Sequence, residues 1–328
     1  MIRGALFAFL LAGCASASPA LTTSRAATES LSGISLFQQR EGLLFRTGYR
    51  LVTGNAEFCA EKVPATGMLL HDAASYGAPD AVRSELGLIG DIGVQAVADG
   101  SPADAAGIRV NTTLIAIGPS SIAARYKPGR PDWKRLAEIR EHIDAALFGG
   151  RVALTFGAPG TEQRTVELAP VMACASRFEL LDDARAAKAD GQRVMLGQNF
   201  PAFGYGEDEF AAAVAHELAH NLLGHVDQLD RLGRKQSNIR LSERDADRLM
   251  PWLLANAGYD PEAAIRFMAT WGPKYGGGLL RKRTHDGWDE RVALIREEIL
   301  LVKASVDASG KADWKGGFRP MLGTAQQP

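Results

Sequence analysis

Beyond its first dozen residues, the 328-residue sequence holds no apolar run approaching the length of a membrane helix. It also lacks a charge excess. The 37 Lys and Arg are balanced by 38 Asp and Glu, and nowhere do basic residues gather with aromatics as in a nucleic-acid groove. These absences remove the electrostatic case for nucleic acid as a partner. What remains is a chain long enough for two domains with separate cores, whose chemistry must sit in local motifs.

The start, Met1-Ile2-Arg3 followed by an apolar run from Ala5 to Leu11, has the charged beginning and short hydrophobic stretch of a secretory signal. Leu11-Ala12-Gly13-Cys14 resembles the bacterial lipobox, which implies a signal peptide at 1–13 and lipidation of Cys14. Ala15, where an aspartate would retain the protein at the inner membrane, resembles an outer-membrane address in Gram-negative bacteria. The expected location is therefore the periplasmic side of the envelope, with the membrane reached through the lipid anchor. Residues 14–35 are rich in Ser, Ala and Thr without apolar period and read as a flexible tether. Cys59 and Cys174 remain as an even pair in an oxidising compartment, which predicts a disulfide tying the beginning of the first domain to its end.

The overall expectation is an α+β chain. A β-rich domain spans 36–174, a mainly helical one with a small edge sheet spans 175–305, and a loosely ordered tail spans 306–328. In the first domain, 43–46 and 49–52 read as strands around Gly48, and 67–71 as another, with His71 a polar residue at a strand end. Then come a strand at 93–97, a capped helical turn from Ser101 to Gly107, a strand at 114–117, an amphipathic helix at 135–147 and a hairpin at 151–168. This order resembles a PDZ domain, with Asn111-Thr112 in place of the usual Gly-Asp and an insertion at 126–133. The resemblance implies an extended peptide ligand bound by strand addition, with 86–90 as the candidate carboxylate-binding loop.

The strongest signal lies at 208–221. Phe210, Val214, Leu218 and Leu222 recur every four residues among alanines, which predicts a buried helix with Asp208 as N-cap. His216 and His220 project from one face a single turn apart, the spacing at which two imidazoles grip one tetrahedral zinc, and Glu217 between them is the general base of an HExxH zinc peptidase. Leu223 and Val226 stand where a metzincin carries glycine and its third histidine, so that ligand set is excluded. His225 is expected to lie away from the metal-facing stripe, on the solvent side. A second helix, capped by Ser242, places Glu243 as third ligand and Asp247 as the partner of a ligand histidine's free N–H. Upstream, 178–189 suggests a helix and 194–196 an edge strand for the substrate backbone, with the aromatics of 197–206 lining the cleft.

HELAH, followed by Glu243 and Asp247 in an ExxxD element and by Thr284-His285 with Arg291, resembles the metallopeptidase family of the HtpX heat-shock protease and the CAAX prenyl proteases. The resemblance implies a gluzincin-type domain with one Zn2+. His285 and Arg291 would approach it opposite Glu217 and stabilise the oxyanion, or His285 would close the resting site as an extra ligand. Gly276 to Gly278 would precede them as a mobile lid. Asp286 stands where that family has proline, and Pro251 is expected to kink or shorten the ligand helix. The expected activity is zinc endopeptidase action on misfolded or misassembled envelope proteins. The competing expectation is a peptide-binding quality-control lipoprotein with a closed or weakly active zinc site.

Overall fold

A computed structural model describes residues 33–129, 133–182, 184–275 and 286–323. The signal segment, Cys14, most of the tether, Gly276 to Gly278 and His285 lie outside them. The chain is mixed α/β with open sheets. It begins with helix α1 (Gly33–Gly54), then β1 (Lys62–Ala65), β2 (Met68–Asp72), α2 (Pro79–Leu86), β3 (Ile92–Val97), α3 (Pro102–Ala105), β4 (Thr113–Ile117), β5 (Ser120–Ser121), α4 (Ile122–Arg125) and α5 (Lys134–Phe148). Next come strands β6 (Val152–Gly157), β7 (Arg164–Leu168), β8 (Val171–Cys174), β9 (Arg177–Leu181), β10 (Ala187–Ala189) and β11 (Arg193–Gly197). Helices α6 (Glu207–Leu222), α7 (His225–Leu232), α8 (Gln236–Asn256), α9 (Ala263–Tyr275), α10 (Trp288–Ser309) and α11 (Trp314–Gly317) complete it.

Strands β2-β3-β4-β6-β7 form an antiparallel sheet in that order, with β5 added on β4 and β2 at one edge. Its core is mainly aliphatic: Ile92, Val94, Leu114, Ile117 and Leu154 meet Ile139 and Ile143 of α5, with Tyr126 and Phe156 in the same cluster. Ser101 caps α3, its Oγ accepting from Asp104 N at 3.2 Å. Asn111, where glycine was expected, takes φ +64°, a conformation asparagine tolerates better than most residues.

A second core joins α6, α8, α9 and α10 and includes α1. The expectation of strands around Gly48 is overturned. Residues 33–54 form one helix whose apolar positions Leu44, Gly48, Leu51 and Val52 follow a period near 3.6, and Gly48 is there for packing: a Cβ on it would lie 2.4 Å from the Phe178 ring. Helix α1 packs against β3 of the large sheet as well as β8, β9, α6 and α8, so it ties the two cores together. Residues 33–35, expected to belong to the tether, are thus helical. The Cys59–Cys174 disulfide is present, with a Cα–Cα separation of 5.5 Å, beside the pairing of β1 with β8.

Two further expectations change. Residues 177–181 and 187–189 are strands where a helix was expected; Phe178 and Leu180 are buried between more exposed neighbours, the period of two that marks a strand. Strand β11 is central, pairing in parallel with β9 and antiparallel with β10, so the edges of this small sheet are β9 and β10 and not 194–196. Residues 310–323 are packed where a loose tail was expected. Trp314, Phe318 and Leu322 are buried, and Asp245 accepts from the backbone N–H groups of Met321 and Leu322 at 2.8 Å each.

Candidate metal centre

Helix α6 starts at Gly206 as cap, with Glu207, Asp208 and Glu209 in its first turn, where acids complement the helix dipole. Asp208 is inside the helix and is not its cap. Phe210, Ala211, Val214, Ala215, Leu218 and Ala219 are buried in the helical core, which leaves His216, Glu217 and His220 on the half-buried face toward a cleft. Asn221 fixes the other end by accepting from Gly191 N at 2.7 Å and donating to Ser176 Oγ at 3.0 Å, which ties α6 to the small sheet.

Helix α8 packs against α6 and starts at Gln236, six residues before the expected cap. Ser242 is therefore an interior residue whose hydroxyl donates to the Ile239 carbonyl at 2.8 Å. Pro251 is accommodated within this helix, where it has no N–H to offer the carbonyl of Asp247. One turn separates Glu243 from Asp247, and both face α6.

His216 Nε2 lies 3.4 Å from His220 Nε2 and 3.4 Å from Glu243 Oε2, and His220 Nε2 lies 3.6 Å from Glu243 Oε1. A tetrahedral zinc with bonds of about 2.05 Å spaces its ligands about 3.3 Å apart. The two imidazole nitrogens stand near that spacing, and the Glu243 carboxylate turns one oxygen toward each ring at a similar distance, so the three residues fit such an ion in donor type and place one donor atom each within 4.8 Å of the others. Glu217 lines the same cavity.

The supporting residues are asymmetric. Behind His216, Asp247 Oδ1 stands 3.1 Å from Nδ1, and Asp247 is gripped by Arg291 through Nε at 2.5 Å and an NH2 group at 2.7 Å. The sequence expectation put Arg291 at the oxyanion; its guanidinium is committed to Asp247, although the residue also lines the cavity. Asp286, which stands where the resembled family has proline, has a side chain 6 % exposed, accepts from both Arg244 Nε and NH2, and sits 3.6 Å from Arg240 Nε. It thus docks the start of α10 on α8. Gly272 of α9 allows this approach, since a Cβ there would meet Trp288 at 2.2 Å.

Behind His220 stands His225, contrary to the expectation that it faces solvent. It is 1 % exposed, and its Nδ1 lies 2.9 Å from His220 Nδ1. Five residues of continuous helix would have rotated it about 140° away. Helix α6 instead ends at Leu222, Gly224 takes φ +63°, and α7 starts on His225, which turns the ring back under the site. The signal in the sequence was that glycine after two leucines, a helix stop.

Charge is divided unevenly among these groups. Burial disfavours the His216 cation, but Asp247 and Glu243 outweigh it and raise its pKa to about 10. Burial dominates at His220 and His225, lowering them to about 4 and about 3. Burial also opposes charge on Asp247 and on Arg291, yet each holds the other ionised: the Asp247 pKa is depressed and that of Arg291 raised.

The cleft before these side chains has a volume of about 640 Å³. Arg185 to Ala189, including edge strand β10, form one wall. An aromatic group forms another: Phe200 packs on Trp271 with ring centroids 5.1 Å apart, and Trp271 on Tyr275 at 4.3 Å. Of the 197–206 loop, Phe200 reaches this cavity, and Trp271 was not foreseen. Compared with protein-family models, curated proteins and solved structures, the chain gives no match.

Proposed function

We propose that the chain is a zinc-dependent endopeptidase of the bacterial envelope, lipid-anchored through Cys14 and acting on unfolded or misassembled proteins. The observation that carries this reading is the convergence of His216, His220 and Glu243 in one cleft that Glu217 also lines. Zinc held there would supply Lewis acidity, acidifying water and polarising a carbonyl. Glu217 takes the proton of the attacking water and delivers it to the leaving amine. Asp247, itself held by Arg291, orients His216, so Arg291 is a positioning residue. The free edge of β10 aligns an extended substrate backbone, and the wall of Phe200, Phe267 and Trp271 favours a bulky apolar side chain beside the scissile bond.

In this reading the large sheet with α5 is a PDZ-like domain and the helical core a gluzincin-type domain. A groove of about 220 Å³ runs along β2, walled by Ile143 and Leu147 of α5 and by Phe45 and Tyr49 of α1. It is bordered by 63–70, and the expected loop at 86–90 does not line it. The decisive experiment compares wild type with Glu217→Gln for zinc content and for cleavage of unfolded protein. The variant should hold one zinc and lose cleavage by 10²-fold or more. Equal cleavage by both, with contaminating protease excluded, overturns the mechanism. A variant that still rescues envelope assembly points instead to a peptide-binding role.

A further inference from the structure

The two imidazoles of the metal triad have different backing. His216 has a carboxylate behind it. At the corresponding nitrogen of His220 stands the neutral ring of His225, Nδ1 to Nδ1 at 2.9 Å, the two rings edge-to-face with an interplanar angle of 75°. His220 turns its Nε2 toward His216 and Glu243. When that nitrogen offers its lone pair to a metal, the proton of the ring must sit on Nδ1. An N–H there needs an acceptor, and His225 Nδ1 is in place as one provided its own proton is on Nε2. His225 Nε2 is buried and makes no hydrogen bond among the described residues, so no other contact dictates the opposite tautomer.

The backbone is arranged to deliver this ring. A left-handed glycine interrupts the helix one residue earlier, and His225 opens the next helix with its side chain almost wholly buried. A histidine with only a packing task has no need to stand nitrogen-to-nitrogen with a ligand.

We propose that His225 is a positioning residue: it accepts the Nδ1–H of His220 and holds that ring in the tautomer and orientation that present Nε2 to the metal, the task for which the Asp247 carboxylate stands 3.1 Å from His216 Nδ1. This rests on the zinc reading of the triad. The choice of acceptor has a chemical consequence. A second carboxylate would add negative charge behind the ligands and make His220 more electron-rich, whereas a neutral imidazole orients it without that charge and leaves the ion a stronger Lewis acid.

The test uses the full chain and Zn2+ itself, with affinity measured by competition against a chromogenic chelator at fixed pH and thermal unfolding of the metal-free proteins in parallel. His225→Phe keeps a ring but removes the acceptor. His225→Asn places an amide oxygen near the position of Nδ1. The expected result is zinc binding 10- to 100-fold weaker in His225→Phe, with His225→Asn recovering at least tenfold of any 100-fold loss. Two outcomes overturn the assignment while leaving the zinc site standing: His225→Phe binding as tightly as wild type, or both variants losing affinity equally. Wild-type protein that binds no zinc overturns the triad, and the role of His225 with it.

Discussion

The Asp247–Arg291 pair carries two separable loads, structural and chemical, and one series of variants divides them. The pair is buried, with side chains 1 % and 8 % exposed, and joined by two short hydrogen bonds from Nε and NH2. Asp247→Asn keeps the shape but removes the negative charge, leaving the Arg291 cation without its principal partner. Breaking a buried pair from one side costs about 3–5 kcal/mol, because the remaining ion is neither hydrated nor neutralised. Urea unfolding of the chelated protein should show that loss at neutral pH. The sign follows from the depressed Asp247 pKa: its contribution is present above the ordinary carboxylate range and disappears as pH falls through the folded value. Adding Arg291→Met removes the stranded cation and should restore most of the lost stability.

Zinc affinity should behave differently. Removing a ligand's supporting carboxylate typically weakens binding 10- to 100-fold, about 1.4–2.7 kcal/mol. The Asp247→Asn/Arg291→Met protein should regain stability and still bind zinc weakly, because nothing in the second substitution returns a charge to His216 Nδ1. Chelator competition on wild type, the single variant and the double variant reads this out. The reasoning fails if Asp247→Asn binds zinc as tightly as wild type, or if the double variant is no more stable than the single one.

Other consequences are checked more simply. Replacing Cys59 and Cys174 by serine opens a closure of 115 residues, for which the chain-entropy relation gives a loss of about 5 kcal/mol, measurable by denaturant unfolding against oxidised wild type. In the metal-free protein, the His216 proton stabilises the fold fully below about pH 6.5 and this contribution is lost as pH rises through about 10. His220 and His225 act with the opposite sign, since below about pH 6.5 the unfolded chain takes up protons that the folded chain accepts only near 4 and 3. Thermal unfolding of the chelated protein should therefore lose stability toward both acid and alkali, and calorimetry in buffers of different ionisation heat should find about one proton released from His216 per zinc bound near pH 8. Trp271→Ala should reduce cleavage beside bulky apolar residues 10- to 200-fold in kcat/KM and leave zinc affinity unchanged, as a peptide library would show.

The parts of this site that the sequence disclosed are those carried by unbroken helix. His216, Glu217 and His220 lie within α6, and Glu243 and Asp247 within α8, so a period of 3.6 residues was enough to place each set on one face. Strands β3, β4, β6 and β7 were also legible, each a short β-prone run bounded by turn residues, whereas the two-residue β5 was not. Readings failed where a neighbour or a chain break decided the outcome. Gly48 looked like a turn, but its missing Cβ admits the Phe178 ring to α1. The segment at 178–189 was divided between two strands whose partners are β11 on either side.

His225 shows why supporting residues are harder to read than ligands. In a continuous helix it would point away from His220, and a single left-handed glycine brings it into contact. Asp286 is similar. It stands where the resembled family has proline, and its carboxylate docks on Arg244, one residue from the candidate ligand Glu243. Ligand spacing is a local property of one helix, whereas the groups that aim the ligands arrive from other elements. A search for such groups in sequence should therefore start at the helix stops that flank a metal motif and ask which polar side chains a reversal there would return to it.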